Sequence, residues 1–353
     1  MSDIAIELVA QVLDAHAPLT IRGAGSKDWL GLPPQGEILD VRAHCGIIAY
    51  EPSELFITAR CGTPLAEIEA LLTQHGQCLP FEPPRFAPES TIGGVVAAGL
   101  SGPRRVSAGA LRDYMLGVKL IDGRGRELAF GGQVMKNVAG YDVSRLIAGS
   151  LGTLGVILEV SLKVMPRPAA EASLRFEMTQ AEALAAFNRW RGQPLPIVAS
   201  CWHAGLLYLR LAGASAAVSL ATAKLGGEKL GAGDTAFWSA LRDQKLLPFF
   251  SAETLWRLSA PPTTPPLDLP GETLIEWHGA LRWLRSDAAP ETVRAVAVGA
   301  GGHATLWRAP DDVKRRVGVF QPLPAPLMEL HRRLKAAFDP RGILNPGRLY
   351  SEL

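Results

Sequence analysis

Cysteine is scarce and scattered: Cys45, Cys61, Cys78 and Cys201 stand alone, with no CxxC pair. That spacing excludes a zinc site, a disulfide framework or an iron–sulfur cluster carried by this chain, and leaves four reduced thiols. No apolar run reaches the roughly 18 residues of a membrane-spanning helix. The first residues, MSDIAIELVAQVLDAHAP, lack the basic leader and cleavage site of a signal peptide, so a cytoplasmic chain is expected. Charge is almost balanced, at 36 basic against 34 acidic residues, which offers nucleic acid no basic groove. No internal repeat of fixed period is visible. Disorder is excluded too, because 48% of residues are hydrophobic and only 20% charged.

What the chain has in quantity is glycine and proline, 36 and 27 residues. Both favour tight turns, and glycine lets backbone approach a ligand closely. The 353 residues fit two domains or three lobes. Helical spacing of Ile4, Leu8 and Val12 predicts an opening helix over 4–14. Strands are expected at Leu19–Ile21, Glu37–Val41, Ile47–Tyr50, Phe56–Cys61 and Gln77–Phe81, with a helix from Pro64 to about His75. A hairpin turning at Asp122-Gly123-Arg124-Gly125 follows, then a strand at Val156–Val164. Pro166, Arg167 and Pro168 suit a linker. Beyond it, helices near 181–190 and 216–225 and strands near 206–211, 272–277 and 303–308 predict an α+β cap with an antiparallel sheet. The Pro-rich loop 261–270 interrupts it, and a helix over 326–338 ends the series.

Two small-residue loops could present backbone to a phosphate. The first, Arg22-Gly23-Ala24-Gly25-Ser26-Lys27, follows a strand. It fails as a dinucleotide fingerprint: GxGxxG is incomplete, and no ribose-binding acid follows about 20 residues on. The second, Ser90-Thr91-Ile92-Gly93-Gly94, runs into a helix. Tight helix–sheet packing would explain it as well, but two such loops favour a ligand.

The ordered segments RGAGS (22–26), STIGG (90–94), GALRDYMLG (109–117), KNVAGYD (136–142) and GSLGTLGVI (149–157) carry a resemblance, joined by DPRGILNPGRL at 339–349. The chain resembles the FAD-linked oxidase family, which includes D-lactate dehydrogenases, D-2-hydroxyglutarate dehydrogenases and the flavin subunits of glycolate oxidase. The match runs over about 20–168. It implies an α+β protein with an FAD domain of the p-cresol methylhydroxylase and vanillyl-alcohol oxidase type, in two α/β subdomains, over 1–168. A reduced ferredoxin-like cap over 169–325 and a C-terminal segment, 326–353, packing back on the FAD domain complete it.

The resemblance also implies the site. Arg22 to Ser26, with Lys27, would surround the FAD pyrophosphate, and Pro88 and Ser90 to Gly94 would flank its other side. Gly109 and Ala110 fall on the flavin side, and Gly155, Val156 and Ile157 at the isoalloxazine edge. Asn137, Gly140, Tyr141 and Asp142 match a turn that either contacts the cofactor or braces its loops. Asn345 reaches the flavin or caps a turn. Position 27 is Lys, and no histidine lies in the first loop, where covalently flavinylated relatives carry one, so noncovalent FAD is expected. Leu151 replaces a Glu of the catalytic relatives.

Those relatives also carry a metal-binding HxGDGNxH motif in the cap. The seven histidines here (16, 44, 75, 203, 278, 303, 331) lack metal-ligand spacing, so no metal is expected. The resemblance therefore implies an FAD subunit of a glycolate-to-glyoxylate complex, beside a larger catalytic FAD subunit and an iron–sulfur subunit. It would transfer electrons or support the assembly, at the inner face of a membrane. The alternatives are a self-sufficient D-2-hydroxy-acid dehydrogenase, with Arg282, Arg285, Arg308 or His303 clamping substrate, and a scaffold without FAD.

Overall fold

The chain opens with α1 (Asp3–Asp14), which buries Ala5, Leu8 and Val12 along one stripe. The computed structural model describes residues 3–132, 142–231, 234–246 and 248–353. After α1, β1 (Leu19–Arg22) and β2 (Glu37–Asp40) pair in parallel as the first small subdomain. The second contains β3 (Ile47–Glu51), β4 (Phe56–Arg60), α2 (Leu65–Gln74) and the short β5 (Gln77–Cys78). It continues with α3 (Ile92–Ala98), α4 (Arg105–Ala108), β6 (Met115–Ile121), β7 (Glu127–Gly131), α5 (Val143–Ile147), β8 (Val156–Lys163) and β9 (Met165–Pro166). Its antiparallel sheet has the order β3-β4-β8-β6-β7.

Strand β8, VILEVSLK, is central and buried on both faces, hence its nearly continuous apolar run. The β6–β7 turn closes because Asp122 is fully buried and accepts from the backbone N–H groups of Arg124 and Arg126, both at 2.9 Å. The strand expected at 77–81 stops at Cys78, because its partner β9 offers just Met165 and Pro166 for pairing.

The cap begins with β10 (Ala170–Glu177), α6 (Gln180–Arg191), β11 (Ile197–His203), β12 (Leu206–Gly213), α7 (Ser215–Leu225) and β13 (Glu228–Lys229). Helix α6 starts on a capping box in which Thr179 Oγ1 accepts from the Glu182 N–H and Glu182 accepts from the Thr179 N–H. Next come α8 (Asp234–Arg242), β14 (Leu255–Ser259), β15 (Glu272–Glu276), β16 (Leu281–Arg285), α9 (Pro290–Gly299), β17 (His303–Arg308) and α10 (Asp311–Val317). All eight strands form one antiparallel sheet, ordered β13-β10-β12-β11-β15-β16-β14-β17.

The first four run fourth-first-third-second in space, the ferredoxin-like order. The last four repeat it from the opposite edge, and β11 pairs with β15 at the seam. The expected ferredoxin-like cap is thus built twice, a topological repeat without a sequence period. In the second unit the proline-rich stretch 260–271 replaces the first helix.

Helix α11 (Ala325–Phe338) leads back to the first half, where the Leu19 N–H donates to Ile343 O at 2.7 Å and the Asn345 N–H to Leu19 O at 2.9 Å. Lys335 and Asp339, both buried, pair at 2.7 Å and fix this return.

Candidate functional site

The two small-residue loops meet. A Cβ on Gly23 would stand 2.5 Å from Thr91 Oγ1, so the first loop lies directly on the second. Ser26 Oγ and Ser90 Oγ are 3.0 Å apart. Gly93 is pressed against Cys61: its N–H donates to Cys61 O at 2.8 Å, and a Cβ there would lie 2.6 Å from Cys61 Cβ. Around this junction runs a narrow cavity of about 100 Å³, lined by Arg22, Gly23, Ala24, Gly25, Ser26, Lys27, Thr91, Gly93, Gly94, Gly155, Ile157 and Asn345 among others. Arg22 pairs with Asp28 at 2.8 Å, but its Nε is buried without a partner. Burial lowers the Lys27 amine to about 8.

Other expected residues stand elsewhere. Ser90 and Ile92 are buried behind the wall and Val156 in the core. Pro88 is exposed in a surface turn, and Gly109, at φ +101°, ends α4 without lining the cavity. Asp142 stands away from the cavity: its carboxylate caps α5, accepts from Ser144 Oγ at 2.9 Å and pairs with Arg145 on a half-exposed surface. Asn137, Gly140 and Tyr141 lie outside the described residues.

Asn345 is a strut as well as a lining residue. Its Oδ1 accepts from the Ile21 N–H at 2.8 Å, and its Nδ2 donates to Leu151 O at 2.6 Å, tying β1 to the 149–155 loop. Arg348, which the sequence did not single out, donates to Leu30 O at 2.6 Å, Asp28 O at 3.1 Å and Leu32 O.

Leu151 and Ala98 belong at once to the narrow cavity and to a wider one of about 340 Å³ between the two halves. Leu151 holds a positive φ of 51°, with its N–H on Ala97 O at 2.8 Å. Ala110 lines the wide cavity. The two cavities form an elongated cleft, narrow where backbone lies closest. An unpartnered guanidinium nitrogen and glycines with no room for a Cβ fit an extended anionic dinucleotide.

The wide cavity holds a cluster that the sequence did not disclose. Arg105, Arg257, Glu276, Trp277, Trp283 and Trp307 line it, with His303 at the rim. Arg257 lies 5.1, 5.9 and 5.5 Å from the ring centroids of Trp277, Trp283 and Trp307, and Arg105 lies 4.4 Å from that of Trp277. Trp283 Nε1 donates to Glu276 Oε1 at 2.7 Å. Burial pushes the Glu276 carboxyl up to about 7 and the Arg257 guanidinium down to about 10.

Three suggested clamps are committed elsewhere. Arg282 donates to the carbonyls of Gly279, Thr264 and Pro265, holding the proline-rich loop. Arg285 pairs with Glu272 at 3.0 Å on the surface. Arg308 donates to Phe250 O at 2.8 Å. The signal for Arg257 and Glu276 was a charge inside an apolar strand, LWRLS and TLIE. Among the described residues, no cluster suited to a metal ion occurs, and no helix is long and apolar enough to cross a membrane.

The cleft and double-unit cap define a flavin-linked oxidase fold, and the comparisons agree. Residues 3–131 match the FAD binding domain family, and 323–349 match the C-terminal domain of FAD linked oxidases. Solved structures of alkyldihydroxyacetonephosphate synthase share the fold, with a TM-score of 0.65 over 98% of this chain and 74% of that one, at 14% identity. The glycolate oxidase subunit GlcE of Escherichia coli (strain K12) is 51% identical over 100% of this chain and 98% of its own. The glycolate oxidase subunit GlcD of Bacillus subtilis (strain 168) is 30% identical, over 48% of this chain and 36% of its own. This chain belongs to the FAD-linked oxidases, in the GlcE family of glycolate oxidase subunits, and FAD is its cofactor.

Proposed function

We propose that the chain is the FAD-binding subunit of a complex that oxidises glycolate to glyoxylate, working beside a larger catalytic flavoprotein subunit and an iron–sulfur subunit. The observation that carries this reading is the 51% identity to a glycolate oxidase subunit along the whole chain. The closely fitted glycine cradle supports it. Bound FAD supplies a two-electron acceptor. Arg22 to Lys27 with Thr91, Gly93 and Gly94 enclose its pyrophosphate, while Gly155, Ile157 and Ala110 approach the flavin end. Residues 1–168 carry the cofactor, 169–325 form the cap, and 326–353 lock the two together.

FAD is held without a covalent bond. The narrow cavity contains no histidine, and burial pushes its Cys61 thiol up to about 12, far from a nucleophilic thiolate. Acid precipitation is expected to release all flavin into the supernatant; flavin remaining with the pellet overturns this point. Gly93→Val must push Cys61 away, so the variant is expected to bind FAD about tenfold or more weakly, measured by flavin fluorescence on reconstitution.

Affinity purification of the tagged chain from its source cells is expected to recover a larger flavoprotein and an iron–sulfur protein at the membrane's inner face. Rapid flavin reduction by glycolate or D-lactate in the isolated chain would instead make it a self-sufficient dehydrogenase. A colourless preparation that cannot be reconstituted would make it a scaffold.

A further inference from the structure

The seam between the first half and the cap carries a further cavity, of about 820 Å³. It shares only Arg242 with the wide cavity and no lining residue with the narrow one. Six cations line it, and three of them have carboxylate partners. Arg85 pairs with Glu69 at 2.6 Å, Arg210 with Glu82 at 2.7 Å and Glu171 at 2.8 Å, and Arg242 with Asp243 at 2.7 Å. Arg104, Arg167 and Lys229 have no carboxylate partner among the described residues. Arg167 donates to a neutral acceptor, Thr73 Oγ1, at 2.8 Å. Arg104 makes no side-chain hydrogen bond there, and its Nε is buried without a partner. A buried guanidinium nitrogen without an acceptor is costly. Burial raises the Cys78 thiol, while the charges of Arg104 and Arg167 both pull it back, so the two cations bear on one wall. Lys229 stands exposed at the rim, on edge strand β13. One lining carboxylate, Asp234, lacks a cation and accepts from Ser173 Oγ, which in turn accepts from Trp238 Nε1 at 2.8 Å. Three uncommitted cations against this one carboxylate leave a positive surplus.

We propose that this cavity binds the phosphomonoester of a small hydroxylated metabolite, with the phosphate on Arg104, Arg167 and Lys229 and a ligand hydroxyl donating to Asp234. A phosphomonoester carries a charge of about −1.5 to −2 at neutral pH, which matches the surplus. Its three peripheral oxygens can meet both guanidinium forks and the ammonium at once, whereas a carboxylate has two. The cavity is far larger than phosphate alone and falls in the range of about 300–1,000 Å³ usual for small-molecule sites. Thr235 and Ser239 add hydroxyls to the wall that carries Asp234. Arg104 belongs to the FAD half, Lys229 to the cap and Arg167 to the linker, so an occupant ties the two halves together. The site is independent of the flavin-subunit reading.

The test uses the full-length FAD-loaded chain and glycerol 3-phosphate, titrated by calorimetry. Saturable binding of one molecule per chain is expected, together with a urea midpoint that rises with ligand concentration. Arg104→Gln should weaken binding about thirtyfold, and Arg104→Lys, which keeps the charge but loses the fork, about tenfold. Arg167→Gln and Lys229→Gln, at exposed positions, should each cost about fivefold. Arg285 pairs with Glu272 outside the cavity, so Arg285→Gln should match the native chain. If Arg104→Gln does not fold, the chain carrying both Arg167→Gln and Lys229→Gln decides, with an expected loss of about twenty-fivefold. Inorganic phosphate has no carbon-borne hydroxyl for Asp234 and should bind about tenfold more weakly than the ester, a gap that Asp234→Asn should narrow. Absence of saturable binding overturns the proposal, as does unchanged affinity in the Arg104 variants or in the double variant. Inorganic phosphate or malonate binding as tightly as the ester also overturns it, the first leaving a bare anion site and the second a dicarboxylate site. Displacement of the ester by glycolate would put the anion in the wide cavity and overturn it too.

Discussion

Replacing Lys335 by Met is expected to lower the stability of the chain by about 3–5 kcal/mol, the cost of leaving a buried charge without its partner. Its ammonium donates to Asp339 Oδ2 and Leu344 O, both at 2.7 Å, and to Thr153 O at 2.9 Å. Without it the fully buried Asp339 carboxylate keeps only the N–H groups of Ile343 and Leu344. Methionine fills the volume but donates nothing. The consequence reaches the cofactor, because this return segment presents Asn345 to Ile21 and Leu151. Urea unfolding should show a lower midpoint at unchanged slope, with flavin released earlier than from the native chain. Lys119→Met provides the contrast: its 2.9 Å pair with Glu159 is half exposed, so less than about 1 kcal/mol should be lost. Equal losses in the two variants would mean that the buried pair is not the latch.

Much of the first half was legible because its constraints are local. The Asp122–Gly125 turn needs an acceptor side chain and a positive φ at Gly125, and the sequence shows both. The glycine loops were legible as a pair, although their interlocking of Gly23 on Thr91 is a tertiary fact. The cap was harder. Strands β10, β11, β14 and β16 went unrecognised, because whether an arginine or histidine inside an apolar run is buried is decided by its tertiary partners and not by the run itself. Arg282 shows why. It is 1% exposed, yet its charge is met by carbonyls of a loop that follows β14, and no local signal announces this.

The same difficulty hid the cavity. Arg257 and Glu276 lie 19 residues apart in sequence, on strands that are not neighbours in the sheet: β16 runs between them. Their common environment is made by tryptophans from β16, β17 and the turn after β15. All three tryptophans are buried, in core that borders a cavity. Trp307 also packs edge-on against Trp29 of the first half at 5.3 Å, so the aromatic cluster joins the cavity wall to the cofactor half.

Glu276 gives the other large expected effect. Its carboxyl rises from an ordinary 4.5 to about 7, first because it is buried, with Glu82 adding to the rise. The Trp283 N–H and the Arg257 cation oppose it, and Cys201, its register partner on β11, faces it as a buried neutral thiol. A carboxyl with its folded value above its unfolded one holds a proton in the native state that the unfolded chain has released. Its contribution to stability is therefore complete below about 4.5 and is lost as pH rises through about 7. The full shift corresponds to about 3 kcal/mol. Glutamine mimics the protonated acid and can still accept from Trp283. Glu276→Gln should accordingly match the native chain in urea at pH 5 and exceed it by about 3 kcal/mol at pH 8. A constant difference at the two pH values would show that Glu276 does not titrate in this window.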